Sequence, residues 1–234
     1  NTLGRIKESD ALFDFCLFLG NEVNDTSGKA ELYLAHAQVM SDRRKYALAV
    51  AECDSARRYA VMAKNRKAEM RSGLKKSLAQ FNLAEKDKGI ATLKNMEGLL
   101  PSYRKALGEV DYYFYRQRIF NYQGYLHYLS GDYKEAVVNY SVAASINDTI
   151  NTYESTVNSA EIYSYLGKVS REQGKNEDAL QYYSRSSAIY ADIRDTGNQA
   201  IIMNEKGAIY YDLSDYRKAV ATLDTAYRIL SAEN

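Results

Sequence analysis

Residues 122–144 read YQGYLHYLSGDYKEAVVNYSVAA, and the spacing of small and aromatic residues in this stretch decides the fold. Gly124 is followed seven positions later by Gly131, then by Tyr133, Ala136, Tyr140 and Ala143. Small residues such as Gly124 and Ala136 let two antiparallel helices approach closely, where larger side chains would push them apart. Gly131 can take the left-handed backbone angles that end a helix. Asp132 then stands where its carboxylate would cap the next helix. Tyr133 and Tyr140 are rings sized to fill the seam between one helix pair and its neighbour.

The same phrase returns along the chain. Gly167, Gly174, Asn176, Ala179, Tyr183 and Ser186 repeat it, as do Gly207, Ser214, Tyr216, Ala219, Leu223 and Ala226. Asp215 precedes the last of these second helices as Asp132 does the first. Two weaker copies precede them: Ala37, Arg44, Tyr46, Ala49, Cys53, Ala56, and Ala79, Lys86, Lys88, Ala91, Asn95, Gly98. The central alanines Ala49, Ala91, Ala136, Ala179 and Ala219 lie at intervals of 42, 45, 43 and 40. Repetition of a multi-residue pattern at such a period is the signature of a stacked array. The spacing predicts paired helices near 30–43 and 46–63, 70–84 and 88–99, 105–130 and 133–147, 151–173 and 176–191, and 197–213 and 216–231.

Composition agrees with helix throughout. The chain has one proline, Pro101, placed between two of these helices, and prolines break helices more than any other residue. Hydrophobic residues make up 46%, enough for a folded core, and 22 tyrosines with no tryptophan suit half-buried helix seams. The longest apolar run, Ala11 to Leu19, is interrupted by Asp14 and is too short to cross a bilayer.

The repeats resemble the tetratricopeptide repeat family, from about Ala30 to the C-terminus, and the last three units carry the likeness most fully. That resemblance implies an all-α fold, a right-handed superhelical solenoid of stacked antiparallel helix pairs. The sequence departs from the family in its longer period, in the proline missing from the close of each unit, and in Tyr33, Phe120 and Tyr163 where the family has tryptophan. Residues 1–29 form an N-terminal capping helix or the remnant of an upstream repeat, and residues 30–234 the array of about five pairs. Leu12, Phe13, Cys16, Leu17 and Leu19 give the helix at Asp10–Glu22 an apolar face. Leu223, Tyr227 and Leu230 on the last helix would lack a cover. The array is therefore expected to continue into a further segment or to self-associate through that uncapped helix.

Members of this family bind peptide segments in the groove lined by the first helix of each unit. Carried onto this chain, the inward positions are Arg118, Asn121, Tyr125 and Tyr128; Glu161, Ser164, Lys168 and Arg171; Ile201, Asn204, Ala208 and Tyr211; and Lys76, Gln80 and Leu83. They mix aromatic surface, amides for backbone groups and cations for carboxylates. Arg118, Lys168 and Arg171 do not reproduce the carboxylate clamp of chaperone-binding relatives, and they are equally placed to pair with Glu161 and Glu172.

No catalytic or metal-binding constellation accompanies the repeats. His36 and His127 lack a second histidine at helical spacing and sit at packing positions, and Cys16 and Cys53 fit no redox or zinc spacing. Phosphate-binding and nucleophile-elbow motifs are missing. The reading is a non-enzyme without cofactor or metal. Net charge is +1, but Arg57, Arg58, Lys64, Arg66, Lys67, Arg71, Lys75 and Lys76 stand against Glu69 alone. A solvated helix face accounts for such a run before an anionic partner or membrane surface does. No nucleic-acid motif joins it, so the expected partner is a protein or peptide. The first functional expectation is an adaptor. The alternative is the ligand-sensing input module of a larger signalling protein, in the Tyr- and Asn-rich style of Bacteroidetes regulators, in the cytoplasm or periplasm of a bacterium.

Overall fold

A computed structural model describes residues 2–147, 149 and 152–231, and among them the regular structure is entirely helical. The helices are α1 (Thr2–Glu22), α2 (Thr26–Asp42), α3 (Tyr46–Met62), α4 (Arg66–Asn82) and α5 (Lys86–Leu129). They continue as α6 (Tyr133–Asn147), α7 (Tyr153–Glu172), α8 (Asn176–Asp192), α9 (Thr196–Asp212) and α10 (Tyr216–Ser231). Consecutive helices pack as antiparallel pairs, α2 on α3, α7 on α8 and α9 on α10; within the units α3 also packs on α4, α6 on α7 and α8 on α9. The chain is an all-α solenoid built of two compact units, Asn1–Tyr115 and Arg116–Asn234.

One turn design ends nearly every helix. The Lys45 N–H donates to the Met40 carbonyl at 2.8 Å, that of Lys175 to Ser170 at 2.8 Å, and that of Asp215 to Tyr210 at 2.9 Å. This wide closure requires a left-handed residue just before it. Gly131 and Gly174 supply it as the sequence predicts, with φ of 74° and 73°. At Arg44, Lys64, Ala84, Arg194 and Ser214 a residue with a β-carbon takes the same conformation. At three of these turns the next residue caps the following helix: Asn65 accepts from the Ala68 N–H, Asp195 from that of Asn198 and Asp215 from that of Lys218, at 3.0–3.1 Å. Asp132 sets Oδ2 3.1 Å from Nδ1 of His127.

The turns correct the register of one predicted copy. The left-handed residue after α4 is Ala84, not Lys86. The phrase therefore runs through Ser77, Ala84, Lys86, Gly89, Leu93 and Met96, of which Ser77, Gly89, Leu93 and Met96 are buried. Ala91, Asn95 and Gly98, which the spacing had placed in the core, are exposed. The helix break is also displaced. α5 runs through Pro101, which lies on its solvent side, and breaks at Gly108 with φ 78° and ψ 168°, angles open to glycine alone. Arg104 spans this break, its Nε and Nη2 donating to the two Glu109 carboxylate oxygens at 2.8 and 2.6 Å.

In the N-terminal unit, α1 starts earlier than predicted and packs on α2 through Phe13, whose ring stacks on His36 with centroids 3.8 Å apart. Leu12 and Leu19 point to solvent, so the packed face is Phe13, Cys16, Leu17 and Gly20. Cys53 is buried in the core slot expected for it. In the C-terminal unit, Ala136, Tyr140, Ala143, Ile162, Leu166 and Val169 form one buried cluster, and Ala160, Ala179, Tyr183, Tyr190, Ile202 and Ile209 the next. At α10 the side chains of Tyr216, Val220, Leu223, Tyr227 and Leu230 form an exposed apolar stripe.

Candidate functional site

The C-terminal unit brings the first helices of three successive pairs side by side: the second half of α5, then α7, then α9. Arg118 of α5 donates to Asn158 Oδ1 of α7 at 2.6 Å and lies 3.6 Å from the Glu161 carboxylate. Arg171 of α7 donates to Glu205 at 3.1 Å and to Asp212 at 2.8 Å, both on α9. These bridges set one continuous face across the three helices.

Tyrosines fill the middle of that face. Tyr165 stacks on Tyr140 with the rings 2° from parallel and centroids 5.5 Å apart, and Tyr125 and Tyr128 lean on it at 5.2 and 6.0 Å. Burial pushes the Tyr128 and Tyr165 phenols above the ordinary tyrosine range. The Lys168 ammonium stands 5.2 Å above the Tyr165 ring, a cation–π contact.

The predicted positions divide into two kinds. Arg118 is committed to Asn158, Glu161 and the Tyr122 hydroxyl, and Arg171 to α9, so both act as struts. Asn121 is buried, and its Oδ1 has no partner among the described residues. Tyr125, Tyr128 and Ser164 are half-buried in the face. Lys168 has no carboxylate partner among the described residues, while Ile201, Asn204 and Tyr211 are exposed on α9. Tyr211 is 64% exposed and held edge-on by Tyr216.

Lys76 and Gln80 lie outside the C-terminal unit. They belong to the N-terminal unit, where Lys76 pairs with Asp54 of α3 at 2.6 Å and buried Gln80 accepts from Thr92 of α5 at 2.7 Å. The two-residue slip in the second copy shifts the row on α4. Placed in the corrected register, the equivalent row on α4 begins at Arg71, which bonds Glu31 of α2 at 2.7 Å. The sequence reading missed Asn158 and Tyr165. Both lie on α7, Asn158 outside the inward row and Tyr165 one position from Ser164, and nothing in the repeat phrase marks them.

Residues 158–232 match the family model described as tetratricopeptide repeat. No curated protein sequence matches the chain. Among solved structures, BtubC (BKLC) from P. vanneervenii superposes with a TM-score of 0.79 at 16% identity, covering 100% of this chain and 93% of that one. RapI in its apo form gives 0.62 at 13% identity, over 97% of this chain and 94% of that one. MamA from Desulfovibrio magneticus RS-1 gives 0.58 at 13% identity, over 88% and 97%. At these identities the likeness is one of fold.

Proposed function

We propose, on the premise that residues 158–232 are tetratricopeptide repeats and that the whole chain takes the fold of that family, that this protein is a non-catalytic scaffold binding an extended peptide segment of a partner protein. The face shared by α5, α7 and α9 receives it. Lys168, Ile201, Asn204 and Tyr211 carry this reading, because they stand on adjacent helices and, among the described residues, the polar ends of Lys168, Asn204 and Tyr211 have no hydrogen-bond partner. Arg118 and Arg171, bonded into the scaffold, hold the face open at its edges rather than grip the ligand. Asn204 is suited to the peptide's backbone amides, Lys168 to an acidic side chain, and Ile201 and Tyr211 to apolar neighbours of that residue. Self-association through the apolar stripe of α10 is a separate expectation, tested by sedimentation velocity across concentration with Val220→Glu as the control.

The reading is tested by selecting peptides from a displayed random library and measuring the winners by fluorescence anisotropy against Lys168→Ala, Asn204→Ala and Tyr211→Ala. Enriched peptides should share an acidic residue flanked by apolar ones, and each variant should weaken them by about tenfold, the worth of one good contact. Enriched peptides that bind all three variants as tightly as the parent would place the peptide elsewhere on the array.

A further inference from the structure

The basic run from Arg57 to Lys76 is mostly spent within the fold. Arg66 bonds Glu69 at 2.9 Å, Lys67 pairs with Asp111 at 2.6 Å, Arg71 bonds Glu31 and Lys75 donates to Gln38. Lys76 pairs with Asp54 at 2.6 Å, and Arg57 turns toward a cleft of about 350 Å³ in the N-terminal unit, among α3, α4 and α5. Arg57 and Lys76 line it, and Lys88 joins them from the first turn of α5.

We propose that this cleft binds a small organic acid with an apolar body, its carboxylate held by Arg57, Lys88 and the Gln80 amide and its stem laid on Met70, Met96 and Leu99.

Charge sets the sign of the ligand. The lining holds three cations and one carboxylate, Glu69. Lys76 is paired with Asp54 and Lys88 with Glu85, each at 2.6 Å. The Lys88 pair is a surface one worth little, so Lys88 can turn to a ligand beside Arg57. The Glu69 carboxylate is buried and already held by the Arg66 guanidinium and, at 2.8 Å, by the Tyr103 hydroxyl. Arg57 touches it only through Nε, at 3.7 Å, so its remaining N–H groups are free to form a fork on an incoming carboxylate. Gln80 accepts from Thr92 through Oε1, which leaves its amide nitrogen to donate into the cleft it lines.

Size and lining set the rest. The volume is at the low end of small-molecule sites, which run from about 300 to 1,000 Å³, and too small for an extended peptide. Methionines adapt their thioethers to varied apolar shapes, so Met70 and Met96 suit a flexible stem. Cys53 also lines the cleft, but burial pushes its thiol up to about 12, so it stays protonated and the binding is non-covalent.

The chain has five methionines, and labelling their methyl groups with ¹³C reads the cleft directly. Met70→Leu and Met96→Leu assign its two signals. Octanoate should shift both saturably while Met62 and Met203 stay still. Octanamide, of the same length without the charge, should bind about tenfold more weakly, and so should octanoate on Lys88→Gln or Arg57→Gln. Lys88 is largely exposed and its pair with Glu85 is a weak surface one, so its variant keeps the fold. The proposal falls if neither cleft methyl saturates, if octanamide matches octanoate, or if both charge variants bind as the parent does. It also falls if inorganic phosphate alone moves both methyls to the same extent, since the apolar stem would then have no part.

Discussion

Gly167 faces Tyr183 so closely that a β-carbon added to it would lie 2.6 Å from the tyrosine Cε1. The same closeness recurs between Gly124 and Tyr140 and between Gly207 and Leu223, at 2.8 and 2.7 Å. A small residue in the first helix thus meets a large one in the second, and this pairing fixes how near the two helices lie. Gly167→Ala gains about 1 kcal/mol of helix propensity but loses about 1–3 kcal/mol to overpacking against a buried ring. The variant should be destabilised in urea unfolding. Gly98 has nothing within 4 Å of its would-be β-carbon and lies exposed in α5, so Gly98→Ala should instead gain most of that kilocalorie. If both substitutions move stability the same way, close approach is not what the glycines serve.

Ala84 ends α4 with φ of 61°, where its β-carbon meets the following carbonyl. That strain costs about 1–2 kcal/mol, against about 0.5–1 kcal/mol of extra chain entropy that glycine would lose on folding. Ala84→Gly should therefore add a net of roughly 0.5–1 kcal/mol of stability, read as a higher melting temperature. Arg194→Gly, at φ 59°, should do the same, and Gly174→Ala, which needs the same conformation, should do the reverse.

Arg118 and Lys168 are cations of the inward rows of successive repeats, yet they should respond differently to truncation. Arg118 donates to Asn158 Oδ1 within a buried network in which Asn158 Nδ2 also donates to Gln117 at 3.2 Å. Arg118→Ala leaves that buried oxygen without its donor and should cost about 1–3 kcal/mol. Among the described residues half-buried Lys168 rests on the Tyr165 ring, a contact worth about 0.5–1 kcal/mol where it stays solvated. Thermal melts of the two variants separate strut from binding residue. Equal losses would place Lys168 among the struts as well.

The repeat phrase carried the helix pairs because its small residues and turns answer to backbone sterics, which act locally and leave a local trace. It failed at the second copy for a physical reason. Lys86 stands where three of the other four copies have Tyr46, Tyr133 and Tyr216, so that aromatic anchor of the alignment is missing there. Ala79, Ala91 and Gly98 offered small residues at a false spacing. Pro101 misled in a similar way, since a proline on the solvent side of a helix is tolerated and the break fell at Gly108. The inward row was legible as a set of positions but not as chemistry. Whether Arg118 is free or bonded depends on Asn158, 40 residues away, and only the packing of α5 on α7 decides it.

Alkaline pH should unfold this protein through its buried phenols. Tyr140 and Tyr183 are fully buried, and their hydroxyls have no partner among the described residues. Burial raises both well above the usual range, and it lifts Tyr115 and Tyr190 to about 12. In the unfolded chain a phenol ionises near pH ~10. The stability these four groups contribute is fully present below that pH and is lost as pH rises through their folded values, because only the unfolded chain releases the proton. Lys75 and Lys206, lowered by burial, act in the opposite direction, so the comparison is best made between variants. At neutral pH Tyr183→Phe removes an unpaired hydroxyl and should leave stability unchanged or raise it by up to ~1 kcal/mol. Between pH 10 and 12 its advantage over the parent should widen, while tyrosinate absorbance rises in step with loss of helix. A parent and variant that lose helix at the same pH would mean that the Tyr183 phenol ionises without unfolding the repeat.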